Sequence, residues 1–137
     1  MPLDRIDHFS IRTLKLEDTR TFYENAMGME AGDRPPLPFP GYWLYLGEHA
    51  VVHLVGIDEN NPEGLNEYLG EVNIDELSGG GAVDHLAFRA SGSKDLIDRL
   101  KSLSIPYRER MVEGMNLFQL FVEDPNNITL ELNYWDD

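Results

Sequence analysis

Ile6-Asp7-His8-Phe9-Ser10-Ile11-Arg12 and Val83-Asp84-His85-Leu86-Ala87-Phe88-Arg89 are one short passage written twice, 77 positions apart (85 minus 8). Aspartate, histidine and arginine coincide without a gap, and the apolar positions match in type. Both runs alternate with a period of two and are rich in β-branched or aromatic residues, the pattern of a half-buried strand. Successive strand side chains point to opposite faces, so His8 lies with Ser10 and Arg12, and His85 with Ala87 and Arg89.

The duplication extends outward from these strands. The same offset lays Asp18 on Asp95, Tyr23 on Leu100 and Ala26 on Leu103. Leu96, Ile97, Leu100 and Leu103 recur at helical spacing, and Phe22, Tyr23, Ala26 and Met27 make a similar stripe, so a helix follows each strand. Gly28 is placed to end the first helix, and Ser91 or Ser93 to cap the second. Tyr42 to Leu46 and Val51 to Val55 read as a hairpin turning at Gly47-Glu48-His49, and Leu117 to Val122 with Ile128 to Tyr134 as its counterpart around Asp124-Pro125-Asn126-Asn127. His53 then matches Glu131 at an offset of 78 (131 minus 53), one more than before, as a one-residue turn insertion would give.

The expected organisation is an α+β single domain, residues 1–137, built from a first module (1–57), an acidic, Gly-rich linker (58–81) and a second module (82–137). A repeat of this length is too long for a solenoid unit and too short for an independent domain, which points to a shared core.

A chain of 137 residues with no cysteine excludes disulfides, thiolate metal sites and a cysteine nucleophile, and fits a reducing cytoplasm. Any metal falls to histidine, aspartate and glutamate. Eleven Lys+Arg against 25 Asp+Glu give a formal charge of −14, which repels nucleic acid and anionic membrane surfaces. No apolar stretch approaches the roughly 18 residues of a membrane span, so a soluble, untargeted cytoplasmic protein is expected.

Parity separates the last strand into Thr129, Glu131 and Asn133 on one face and Ile128, Leu130, Leu132 and Tyr134 on the other. Three strands therefore share an apolar face suited to packing under helices and a more polar face bearing His8, His85 and Glu131. Two neutral imidazoles and one carboxylate would leave about three positions open on an octahedral ion for substrate oxygens. His53 falls near them by symmetry, as a fourth ligand, an acid-base group, a residue that only hydrogen-bonds substrate, or a structural residue; His49 belongs to the turn.

Ile6-Asp7-His8, the helix end Phe22-Tyr23-Glu24-Asn25-Ala26-Met27-Gly28-Met29, the strand Val83-Asp84-His85-Leu86-Ala87-Phe88 and the closing Glu123-Asp124-Pro125-Asn126-Asn127-Ile128-Thr129-Leu130-Glu131-Leu132 together resemble the vicinal oxygen chelate superfamily of glyoxalases, bleomycin-resistance proteins and extradiol dioxygenases. The resemblance covers nearly the whole chain. It implies two repeated βαβββ modules forming a cup-shaped mixed sheet with helices on the outer face, commonly a homodimer. It also implies a divalent metal (Fe, Mn, Ni, Co or Zn) on His8, His85 and Glu131. In glyoxalase I-like relatives the position of His53 is an acidic ligand, a departure here. Asn127 stands where a glycine is usual, and asparagine tolerates the left-handed backbone.

The reaction stays open among classes. Lyase or isomerase chemistry on a small substrate that chelates through adjacent oxygens would use Glu131 or His53 as base. Fe(II) extradiol ring cleavage would use His53 as acid-base group and Phe39, Tyr42, Trp43 and Phe118 as pocket walls. The alternatives are a metabolite- or drug-binding protein without catalysis, and thiol transfer to antibiotics. The segment Arg34-Pro35-Pro36-Leu37-Pro38-Phe39-Pro40-Gly41, stiffened by four prolines, resembles a lid or rim that offers Arg34 to an anionic group, with an inert connection as the simpler alternative. Arg12 and Arg89 either orient a substrate carboxylate or pair within the protein.

Overall fold

The computed structural model describes residues 2–135, which fall into two compact units, Met1–Leu77 and Ser78–Asp137. The fold is α+β, and each unit is one βαβββ module.

The first unit runs β1 (Phe9–Thr13), α1 (Leu16–Thr21), β2 (Glu30–Gly32), β3 (Gly41–Leu46) and β4 (His49–Gly56). Its sheet has the order β1-β4-β3-β2, with β1 parallel to β4 and the other pairs antiparallel. After Thr21 the helix widens into a π-helical stretch, Phe22–Ala26, in which Met27 N–H reaches the Phe22 carbonyl (3.3 Å). Phe22, Tyr23 and Ala26 are buried there, as the helical stripe requires. Gly28, at φ 76°, then reverses the chain so that Met29 N–H meets the Tyr23 carbonyl (3.0 Å); a side chain at that φ would be strained.

The second unit repeats the plan with β5 (Leu86–Arg89), α3 (Ser93–Ser102), β6 (Tyr107–Val112), β7 (Leu117–Glu123) and β8 (Thr129–Tyr134), in the order β5-β8-β7-β6. Burial alternates along β8, with Leu130, Leu132 and Tyr134 buried and Thr129, Glu131 and Asn133 half-buried. Leu96 and Leu100 of α3 are buried. The apolar parity is therefore the core parity in each sheet.

Four boundaries differ from the sequence reading. β1 and β5 begin at Phe9 and Leu86, leaving His8 and His85 one residue ahead of the ladder. The first hairpin turns on Gly47-Glu48 alone, with Gly47 at φ 61°, so exposed His49 opens β4. The N-cap of α3 is neither Ser91 nor Ser93 but Gly92, in the left-handed region at φ 75°.

The expected linker 58–81 is divided between the units. Residues to Leu77 belong with the first and include a second helix, α2 (Glu63–Leu69). Leu65 of α2 packs against Phe39 and Val55. Arg12 donates to the carbonyls of Gly70 (2.8 Å) and Leu69 (3.4 Å), placing a cation at the negative end of the helix. Seven residues are too few for periodicity to announce such a helix among acidic neighbours. From Ser78 the chain belongs with the second unit, where Gly79 N–H meets the Asn126 carbonyl (2.7 Å) and Asn127 Nδ2 donates to Ser78 Oγ (2.8 Å). Asn127 holds φ 63°, the left-handed turn expected of it.

Candidate metal and substrate site

Each unit brings one histidine that precedes its first strand beside one residue of its last strand. In the first, Ser10 pairs with His53; in the second, Ala87 pairs with Glu131. His8 and His85 lie two residues earlier on the same parity.

Both histidines are tethered alike. His8 Nδ1 lies 2.6 Å from Asp7 Oδ2, and His85 Nδ1 2.8 Å from Asp84 Oδ1. A carboxylate only accepts, so each Nδ1 carries a proton, and in the neutral ring Nε2 keeps the lone pair that a metal takes. The Asp84 hydrogen bond, with Glu131 nearby, holds the His85 imidazole above its ordinary pKa. Hydrogen bonding to His8 holds Asp7 below its own.

In the second unit His85 Nε2 lies 3.6 Å from Glu131 Oε1. Two donor atoms on one ion, each about 2.1 Å from it, stand about 3.0–3.4 Å apart, so this pair fits a divalent cation with a shift of a few tenths of an ångström. Two donors are not a full ligand set, and among the described residues no group of three or more such side chains is assembled. The second oxygen, Oε2, accepts from Asn133 Nδ2 (3.0 Å).

In the first unit the rings of His8 and His53 stack at 3.7 Å, and Trp43 stacks on the other side of His53 at 4.0 Å. His53 Nε2 donates to the Ala50 carbonyl (3.1 Å), which leaves Nδ1 as an acceptor. Burial, and the neighbouring His8, push the His53 pKa down, favouring the neutral ring.

His8, His53, Trp43, Phe39, Arg34 and Tyr68 line a cavity of about 290 Å³ in this unit. Arg34 also ties down the proline segment, with Nη2 donating to the Phe39 carbonyl (2.8 Å) while Nε is buried without a hydrogen-bond partner.

Two of the four aromatics expected as walls stand elsewhere. Tyr42 donates to the Glu17 carboxylate (2.8 Å) under the Arg20 guanidinium. Phe118 pairs with Tyr134 on the apolar side of β7. Arg89 lies over the Trp135 ring, 5.9 Å from its centroid, and Arg12 serves α2 rather than a carboxylate. Sequence reasoning missed Gln119 and Arg110, which connect to Asn133, and Tyr68. The only signal for Gln119 is an amide inside the apolar run Leu117-Phe118-Gln119-Leu120-Phe121-Val122.

Residues 5–132 match the family model of the Glyoxalase/Bleomycin resistance protein/Dioxygenase superfamily, and the chain belongs to that family. It is similar to a putative glyoxalase family protein from Bacillus anthracis, with 19% identity, TM-score 0.70, and 98% of this chain and 97% of that one covered. It is also similar to lactoylglutathione lyase from Agrobacterium tumefaciens, with 19% identity, TM-score 0.65 and 98% and 96% covered. A mutant of the fosfomycin resistance protein FosX from Listeria monocytogenes, complexed with Mn(II) and 1S,2S-dihydroxypropylphosphonic acid, matches at 15% identity and TM-score 0.66, with 96% and 92% covered. At these identities the likeness is one of fold. No curated protein sequence matches the chain.

Proposed function

We propose that the protein is a metal-dependent enzyme of lyase or isomerase type, acting on a small substrate that presents two adjacent oxygens, with His8, His85 and Glu131 as the metal ligands. The observation that carries the reading is the repeated aspartate-histidine pair, each with Nε2 left to donate, together with Glu131 Oε1 at 3.6 Å from His85 Nε2. Neither pair alone is a complete ligand set. The Mn(II) carried by the Listeria relative supports a divalent ion.

The ion, when bound, would polarise the substrate oxygens and lower the cost of negative charge developing on them. The rest falls to the chain. Glu131, fixed at Oε2 by Asn133, offers one oxygen as ligand and base. His53, neutral and clamped between Trp43 and His8, accepts or returns a proton at Nδ1. Trp43, Phe39 and Arg34 line the cavity around His53. Arg89, above Trp135, is a further contact for an anionic group.

The aromatic lining of the cavity favours Fe(II) ring cleavage of a catechol as the second reading, with His53 again as acid-base group.

Purified protein should hold about one divalent ion per chain, and His85→Ala or Glu131→Ala should remove it. Equal metal content in the variants would refute the ligand assignment, and a metal-free, inactive but ligand-binding wild type would leave a sequestering protein. Activation by nickel, cobalt, manganese or zinc supports lyase or isomerase work; iron with yellow product from catechols supports ring cleavage.

A further inference from the structure

A continuous hydrogen-bond chain crosses the second sheet. Arg110 Nε on β6 donates to Gln119 Oε1 on β7 (2.8 Å). Gln119 Nε2 donates to Asn133 Oδ1 on β8 (2.8 Å), and Asn133 Nδ2 donates to Glu131 Oε2 (3.0 Å). Its direction is fixed by its ends. A guanidinium only donates and a carboxylate only accepts, so the two amides between them have one orientation that satisfies every link.

Gln119 is only 5% exposed, where an amide without partners would cost stability. The fold itself does not call for the chain. In the first unit the pairing equivalent to Gln119 with Asn133 is Gly41 with Val55, and no polar relay passes through it. The relay exists only where the last strand carries a carboxylate, and it engages one oxygen of that carboxylate while the other faces His85 Nε2.

We propose that Asn133 and Gln119, anchored by Arg110, are positioning residues that aim Glu131, holding Oε2 so that Oε1 is presented with His85 Nε2 to a divalent ion. The inference rests on the metal reading of the site. Partners of this kind around a ligand typically change metal affinity about 10–100-fold, and they act on the geometry of binding as well as its strength.

Cobalt(II) is the probe, because its visible absorption reports ligand geometry independently of turnover. Wild-type protein is titrated first; failure to bind cobalt overturns the metal reading and this inference with it. If wild type binds, Asn133→Leu should lower cobalt affinity about 10–100-fold and shift the absorption bands, with Gln119→Leu giving a smaller effect in the same direction. Should those variants fail to fold, Gln119→Glu keeps the shape and the bond from Arg110 but cannot, when ionised, donate to Asn133. It should shift the bands while the metal-free protein keeps its cooperative melt. Unchanged affinity and spectrum in folded variants would overturn the positioning role and leave the metal reading intact.

Discussion

The two modules share a strand order and differ in what stands at one pair of equivalent positions. His53 and Glu131 each pair with the first strand of their sheet, and across the other strand His53 meets Trp43 where Glu131 meets Phe121. In the first unit Trp43 stacks on the imidazole, His8 closes the other side, and Val55 joins Phe39 and Leu65 beneath α2. In the second, Phe121 turns to the guanidinium groups of Arg108 and Arg110, 4.7 and 5.3 Å from its centroid, and the carboxylate accepts from the Asn133 amide. Duplicated backbone thus carries two different surroundings: aromatic rings about an imidazole in one half, and polar and cationic groups about a carboxylate in the other.

The sharpest way to break that contrast is to remove its two centres in turn. Glu131→Ala should abolish stable metal binding, read by metal analysis after dialysis, and activity with it. His53→Ala should leave metal content unchanged while turnover falls about 10²–10⁴-fold, the usual worth of an acid-base group. Loss of metal in both variants would make His53 a ligand and erase the division of labour.

Cores offer a control in which the halves should behave alike. Leu54 and Leu132 occupy equivalent positions, 78 apart, and are 1% and 4% exposed. Each change to alanine should cost about 2–5 kcal/mol in chemical denaturation. A cost well below that at either position would mean that its sheet packs less tightly than its burial indicates.

The smallest effect concerns the equivalent arginines. Arg12→Ala removes the cation from the end of α2 and should cost about 0.3–1 kcal/mol, with faster amide exchange in residues 63–70. Arg89→Ala, which loses only a contact over Trp135, should leave helix exchange unchanged.

Much of this was legible in the chain. The strand that follows each Asp-His pair, the helix ending at Gly28 in the first unit and the alternation along Thr129 to Tyr134 in the second are local patterns, and the structure realises them. The same parity would have separated Tyr42 from Trp43, since neighbours on one strand face opposite ways; reading both as pocket walls overlooked it. α2 was hidden because a short helix is held by contacts far along the chain, from Leu65 to Phe39 and from Arg12 to Gly70.

By itself the sequence determined which side chains lie on the polar face of each strand, because the two-residue period is a property of the extended backbone and needs no partner. Tertiary structure decided which of them touch. The His8, His53 and Trp43 stack and the line from Arg110 to Glu131 depend on strand register, and register is fixed only when separate strands pair and bury their apolar sides together.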